Sequence, residues 1–179
     1  MSGRIYKEYK ELSGNPIGVC GITVGLIDES YYHWKFTLAP PKDTCYKGGL
    51  FIANAHFPSD YPNSPPEIVF KTPIYHANVN PFAPKEIGDE SLGHLRISIL
   101  NCWNPKYKMK EVLLNIYSLF YMHNPDSAYG TERAKEYNDK EGIATYYEKA
   151  KYFTKKYANP NDKKNYNNYD RSQDWDFNL

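Results

Sequence analysis

Apolar and polar residues alternate in two neighbouring segments in the first quarter of the chain. In the first segment the apolar positions are Cys20, Ile22, Val24 and Leu26. In the second they are Tyr32, Trp34, Phe36 and Leu38. A period of two is typical of half-buried β-strands, because successive side chains point to opposite faces of a sheet. The polar break at residues 28–30 fits the turn of a hairpin between them.

Two further strands are predicted downstream, over Leu50–Phe57 and Glu67–Lys71. The link between them reads FPSDYPNSPP, and its four prolines exclude a helix or a central strand there. A rigid corner is the expected structure of this link. Because the four strands follow one another with short connections, they are predicted to form an antiparallel meander sheet.

Helical spacing flanks the predicted sheet on both sides. Residues 2–13 carry Ile5, Tyr9 and Leu12 at helical intervals. A central helix is predicted from its apolar positions Met109, Val112, Leu113, Ile116, Leu119 and Phe120. Two C-terminal helices are predicted over about 131–137 and 139–158, the second with Ile143, Tyr147, Ala150 and Tyr157 on one face. This order of elements predicts an α+β domain over residues 1–158, followed by a flexible, Asn-rich tail over 159–179.

Charge and composition narrow the expected partners. The chain has 22 Lys and Arg against 21 Asp and Glu, so no global field favours nucleic acid or membrane binding. Three irregularly spaced cysteines argue against a disulfide framework and a zinc site, and no cofactor is expected. No run approaches the ~18 apolar residues of a membrane helix. A cytoplasmic or nuclear location, or both, is expected.

Several motifs together resemble one family. RIYKEYKEL opens the chain, YKGGLFIANAHFPSDYPNSPPEIVFKTPIYHAN forms its middle, and WNP, VLLNIYSL, NPDS and KKYA follow in order. Over about residues 4–158 this combination resembles the ubiquitin-conjugating enzymes. The resemblance implies the ubiquitin-conjugating (UBC) fold, a four-stranded antiparallel sheet flanked by helices. It also implies thioester chemistry, in which a cysteine thiolate accepts the modifier and passes it to a substrate lysine.

The sequence departs from the family where the chemistry should occur. The family's Gly-x-aliphatic-Cys is here Gly93-His94-Leu95-Arg96, so the resemblance places Arg96 at the nucleophile position. A guanidinium stays protonated and offers no lone pair, so it cannot form a thioester. The preceding loop, 81–92, is longer than in short family members and carries Glu86, Asp89 and Glu90.

Other family positions are retained or altered. The family's HPN is here His76-Ala77-Asn78, and its asparagine is thought to help stabilise the oxyanion. We expect His76 to be structural, and Asn78 either to serve the oxyanion or to brace the loop. By resemblance, Asp126 and Ser127 fall where the family orients an incoming lysine; the alternative is a role in the turn.

Two alternatives would still allow the protein to form a thioester. Cys102, six residues after Arg96, is an alternative nucleophile; otherwise it is a small buried hydrophobe or an incidental thiol. Alternatively, Arg96 is an engineered replacement of a cysteine that is the native residue at position 96. Cys20 is expected on a strand and Cys45 in a loop, away from the site. The sequence predicts no role in catalysis for either of them.

Four positions are candidates for partner binding. Arg4 and Lys7 lie on the first helix, whose polar residues, including Glu8, form either a solvated face or a docking face for an acidic partner. Asn63 in the proline-rich link and Lys106 after Trp-x-Pro replace residues that ubiquitin ligases grip in the family. These replacements weaken the case for a RING-type ligase without excluding other ligases.

Three functional hypotheses follow from the sequence. The first is a non-catalytic partner that binds ubiquitin, a ubiquitin-like protein, an active conjugating enzyme or a ligase. Ubiquitin-conjugating enzyme variants are similar in lacking the cysteine, but they usually lack the last two helices, which this chain keeps over residues 131–158. The second is an active conjugating enzyme that uses Cys102 or a native cysteine at position 96. The third is a scaffold unrelated to ubiquitin that uses the acidic residues 86–90 and the tail.

Overall fold

The computed structural model describes residues 3–14, 21–80, 93–129 and 132–161. Its centre is one four-stranded antiparallel sheet in the order β1-β2-β3-β4. The strands are β1 (Ile22–Leu26), β2 (His33–Leu38), β3 (Phe51–His56) and β4 (Glu67–Phe70). The strand order equals the sequence order, so the predicted meander is confirmed.

The helices flank this sheet. They are α1 (Gly3–Ser13), α2 (Ser98–Asn101), α3 (Met109–Ser118), α4 (Glu132–Asn138) and α5 (Gly142–Tyr157), with a 3-10 turn at Pro125–Ser127. The predicted α+β class is confirmed, with an N-terminal helix, a central helix and two C-terminal helices. Helix α2 was not predicted, because four residues are too few to show helical periodicity.

The sheet and the helices share one apolar core. Trp34 and Phe36 of β2 lie opposite Ala55 and Ala53 of β3, and all four side chains are fully buried. Small residues opposite large rings let the two strands fill the same layer without voids. Helix α3 contributes a buried stripe at helical spacing, namely Met109, Val112, Leu113 and Ile116.

The buried face of α5 differs from the one expected. Tyr146 is 1% exposed, whereas Tyr147, predicted on the inner face, is 36% exposed. The inner stripe of this helix is Tyr146, Ala150, Phe153 and Tyr157. Because Tyr146 and Tyr147 are adjacent and chemically alike, the sequence alone does not show which of them faces the core. Tyr146 packs against Tyr75, with 5.4 Å between the two ring centroids.

Glu8 is the second correction, because it belongs to the core rather than to a solvated face. It is 4% exposed and accepts a hydrogen bond of 2.6 Å from the backbone N–H of Met109, the first residue of α3. The Tyr61 hydroxyl donates to the same carboxylate at 3.2 Å. Arg4 pairs with Glu8 and also donates to the carbonyl of Tyr107 at 3.0 Å. One carboxylate thus joins α1, the proline-rich corner and the start of α3.

No helix in the described ranges is long and apolar enough to cross a bilayer. The described residues also hold no cluster of three or more His, Cys, Asp and Glu side chains suited to a metal ion. Residues 2 and 131, at which two helices are predicted to begin, lie outside the described residues, as do Cys20, the acidic loop 81–92 and residues 162–179. The predictions made for them are therefore not tested. Residues 159–161, the first of the predicted tail, are described and exposed.

Candidate functional site

The segment Gly93–Arg96 is held in place by backbone hydrogen bonds on both sides. On one side Phe70 of β4 donates to the Gly93 carbonyl at 2.7 Å, and Leu95 donates to the Ile68 carbonyl at 2.9 Å. Gly93 has a φ of +79°, a left-handed conformation in which a side chain would be strained. The glycine therefore allows the chain to turn onto the edge of the sheet.

On the other side the segment pairs with residues 78–80. Asn80 donates to the His94 carbonyl at 3.0 Å, and Arg96 donates to the Asn78 carbonyl at 2.9 Å. Residues 78 and 96 are thus brought together across a gap of seventeen intervening residues. The structure places the two positions that the resemblance singled out in direct backbone contact.

The side chain of Asn78 acts as a brace between three backbone groups. It is fully buried, and its amide nitrogen donates to the carbonyls of Arg96 at 3.1 Å and Asn124 at 2.8 Å. Its Oδ1 accepts from the N–H of Asn124 at 2.8 Å. An amide nitrogen has two hydrogens, and both are in use. In this conformation Asn78 has no donor left for an oxyanion.

His76 lies behind this brace and is held by two hydrogen bonds. Its Nε2 is 3.0 Å from the carbonyl of Leu119, which can only accept, so Nε2 carries the proton. Its Nδ1 then accepts from the N–H of Asn78 at 3.0 Å. Burial lowers the pKa of His76 to about 4, so the ring is neutral at physiological pH. Both nitrogens are engaged, which suits an orienting role better than proton transfer.

Arg96 projects from this rigid frame into solvent. The residue is exposed, and its guanidinium carbon lies 4.6 Å from the centroid of the Tyr129 ring. Such a contact is a cation–π interaction, which holds the guanidinium over one ring face. The N–H of Tyr129 donates to the carbonyl of Ala77 at 3.0 Å, so the ring is itself carried by the same frame. The arrangement can bind an anion but supplies no nucleophile.

A hydroxyl and amide network continues from the brace into α2. The Ser98 hydroxyl donates to Oδ1 of Asn124 at 2.9 Å and lies 3.2 Å from the Ser127 hydroxyl. Asn101 donates to the same Ser127 hydroxyl at 3.0 Å. Ser127 is buried, whereas Asp126 beside it is exposed. Ser127 is therefore tied to the fold, and of this pair only Asp126 is presented to an incoming group.

Sequence reasoning missed Asn124, Asn101 and Tyr129 as members of the site. NPDS was recognised as a motif, yet nothing in it indicates that Asn124 meets the Asn78 side chain. Tyr129 carries no motif signal, because a single aromatic residue after a turn has no characteristic spacing. Its position is known only once the turn is folded against residue 77.

The two described cysteines differ in environment. Cys102 is exposed and ends α2, with its N–H donating to the Ser98 carbonyl at 2.8 Å. The suggestion that Cys102 is a small buried hydrophobe is therefore wrong. Cys45 is partly buried, and burial raises its pKa to about 11. Its thiolate is scarce at neutral pH, which makes it a poor nucleophile.

Thiol labelling should separate these two residues. At pH 7.5 iodoacetamide should modify Cys102 rapidly. Cys45 should react slowly, because burial shields it and raises its pKa to about 11, which leaves little thiolate. The rate at Cys45 should rise about tenfold per pH unit up to pH 10, since the thiolate fraction does. Peptide mass spectrometry reads each cysteine separately. Equal rates at pH 7.5 would contradict the described burial of Cys45.

The predicted partner-binding residues fall into two groups. The indole N–H of Trp103 donates to the Pro62 carbonyl at 2.8 Å, which joins the segments that carry Asn63 and Lys106. Both of these residues are exposed, as is Lys7 on α1. Arg4 is different, because its guanidinium is committed to Glu8 and to the Tyr107 carbonyl.

Comparison with known families agrees with this architecture. A family model described as "Ubiquitin-conjugating enzyme" matches residues 4–154. The match includes the sheet, the residue-96 segment and most of α5, and so covers the larger part of the chain.

Proposed function

The chain belongs to the ubiquitin-conjugating enzyme family, and on that premise we propose that it is a non-catalytic partner in the ubiquitin pathway. It binds members of the pathway without forming a thioester of its own. Its partners are ubiquitin or a ubiquitin-like protein, together with an active conjugating enzyme or a ligase. The expected location is the cytoplasm, the nucleus or both.

The observation that carries this proposal is the exposed guanidinium at position 96. It stands where the family resemblance calls for a thiolate, and it has no lone pair with which to attack an activated carboxyl group. Its chain neighbours are fixed by β4 and by residues 78–80, so another residue of this segment cannot take its place without breaking those hydrogen bonds.

The state of Asn78 supports the same proposal. Oxyanion stabilisation needs a donor aimed at the position where negative charge develops. Both amide hydrogens of Asn78 are instead given to backbone carbonyls. Asn78 therefore has a structural role, since it holds the segments around positions 96 and 124 together. His76 behind it is neutral and makes two hydrogen bonds, so it is structural as well.

The proposed partner surface is formed by Lys7, Asn63 and Lys106. The Trp103–Pro62 hydrogen bond links the two segments that carry Asn63 and Lys106, and Arg4 links α1 to the carbonyl of Tyr107 next to Lys106. The two lysines favour a partner with an acidic surface. Asn63 is polar, so it favours a partner that does not need an apolar side chain at this position.

A second candidate function is that of an active enzyme using Cys102, and the exposure of that thiol favours it. The position argues against it. Between Arg96 and Cys102 the chain makes two extended and four helical steps, a displacement on the order of 10 Å. A modifier anchored on Cys102 would therefore be attached on the order of 10 Å from position 96.

A panel of variants tests the proposal against its rivals. The panel has three proteins: the unsubstituted chain with Arg96, called the native chain below, and the variants Cys102→Ser and Arg96→Cys. Each is incubated with an activating enzyme, ATP and ubiquitin and is run on a non-reducing gel. We expect no adduct with the native chain or with Cys102→Ser. An adduct on the native chain that Cys102→Ser abolishes would establish the rival enzyme. Efficient charging of Arg96→Cys alone would show that the surroundings of position 96 still accept a modifier and would favour cysteine as the natural residue at that position.

The binding half of the proposal needs a separate measurement. Isotope-labelled ubiquitin is titrated with the native chain without ATP, so that no covalent step can contribute. Saturable shifts in the ubiquitin spectrum are expected. The same titration is made with an isotope-labelled active conjugating enzyme. If the spectra of both labelled proteins stay unchanged, the chain binds neither of them, and this half of the proposal is wrong for ubiquitin and conjugating enzymes.

A further inference from the structure

A cavity of about 880 Å³ lies apart from the residue-96 site. Its wall is formed by the loop 42–48 after β2, by residues 120–121 after α3, and by α5 from Tyr147 onwards together with residues 159–160. None of the residues around Arg96 contributes to it. The cavity is large enough for a few side chains of a peptide, and the proposed function makes no use of it.

The cavity has a positive rim. Lys42, Lys47, Lys151 and Lys155 line it, against one acidic residue, Asp43. Of the four lysines, Lys151 is paired with Glu148 at 2.7 Å. The positive charges of Lys42, Lys47 and Lys155 favour an occupant that carries carboxylates, whereas a positively charged occupant would be repelled.

The cavity also presents aromatic rings. Tyr121 is 54% exposed and Tyr147 is 36% exposed, although both are large and partly apolar. Phe120 also lines the cavity and is 4% exposed. Aromatic rings at a concave, charged surface are well suited to bind other aromatic side chains, since ring pairs gain both burial and favourable geometry.

The chain itself carries a segment with matching chemistry. Asp174, Trp175, Asp176 and Phe177 alternate two carboxylates with two large rings. This segment lies in the part of the chain after residue 161, the last that the structure describes. Asn159 and Pro160 line the cavity, so the final segment of the chain begins directly beside it.

We propose that residues 174–177 of the same molecule occupy this cavity. Thirteen peptide steps separate residue 161 from residue 174, a reach of up to about 45 Å when extended, which is ample for a return to a cavity beside the point of departure. A tether of this length holds its end at a millimolar effective concentration, so modest contacts suffice for occupancy. The carboxylates face the lysine rim, and the two rings lie against the tyrosines.

The experiment uses the full chain labelled with 5-fluorotryptophan and observed by fluorine NMR. Trp34 and Trp103 provide two internal references for the folded domain, and Trp175→Phe assigns the third resonance. We expect the Trp175 resonance to differ from its position in the denatured chain. In the double variant Lys42→Glu/Lys155→Glu it should move to the denatured position, while the two reference resonances stay in place.

A matched control reverses two exposed lysines that do not line the cavity, Lys71→Glu/Lys110→Glu. This control has the same net charge as the variant Lys42→Glu/Lys155→Glu, and its Trp175 resonance should stay at the position seen in the native chain. The proposal is overturned if Trp175 already resonates at the denatured position in the native chain. It is equally overturned if reversal at the cavity leaves the resonance unchanged, or if simple dilution releases it, since the occupant would then belong to a second copy.

Discussion

Replacing Glu8 by alanine should lower the free energy of unfolding by about 3 kcal/mol, a large loss for a single side chain. The carboxylate is buried and accepts from the Met109 N–H and the Tyr61 hydroxyl. Its removal leaves both donors without a partner inside the fold. Arg4 also loses its partner, but about a third of its side chain is exposed, so water compensates there. Urea unfolding followed by tryptophan fluorescence measures the change.

Glu11→Ala is the matched control for Glu8→Ala. Glu11 lies on the same helix, is exposed, and should change the free energy of unfolding by less than about 0.5 kcal/mol. Glu8→Gln keeps the volume and one acceptor oxygen but removes the charge, so it should fall between the two. Equal effects of Glu8→Ala and Glu11→Ala would mean that Glu8 does not hold α1 to α3.

Replacing Asn78 by alanine should lower the free energy of unfolding by about 2 kcal/mol and loosen the site locally. Three backbone groups lose their partner, namely the carbonyls of Arg96 and Asn124 and the N–H of Asn124. The expected loss is smaller than for a fully buried network, because the hydrogen bonds from Nδ2 of Asn78 to the Arg96 and Asn124 carbonyls are only partly buried. The local signature is the Asn124 amide, whose hydrogen exchange should accelerate roughly 30-fold, the equivalent of that energy.

Asn104→Ala provides the comparison for Asn78→Ala. Asn104 is exposed, and its side chain accepts one hydrogen bond, from the N–H of Lys106 at 3.0 Å. Its loss should leave both the unfolding energy and the exchange of Asn124 nearly unchanged. If Asn78→Ala also leaves the Asn124 amide protected, Asn78 is not the brace, and its amide is available for another role.

The strands could be predicted from the sequence because their signal is local. Alternation from Ile22 to Leu38 places two strands to within a residue or two, since each side chain reports on its own face. The burial of Glu8 has no such signal. Its partners Tyr61 and Met109 lie 53 and 101 residues away, and only the folded corner brings them together.

The site shows the same division between local and long-range information. The motifs identified positions 76, 78 and 96 as a group, because the family resemblance carries their spatial relation. Which atoms bond was not accessible from the sequence, since Asn78 bonds to Asn124 across 46 residues. For Cys102 the sequence left a nucleophile, a buried hydrophobe and an incidental thiol open, and its exposure at the end of a four-residue helix removes only the buried alternative.

The central claim is that position 96 carries a charge where the reaction needs a nucleophile. Its most direct test is the intact mass of the native chain after incubation with an activating enzyme, ATP and ubiquitin, recorded without reductant. The mass should be that of the unmodified chain. An added mass of one ubiquitin that disappears on treatment with a thiol would show that the chain forms a thioester, and the account of a non-catalytic partner would be wrong.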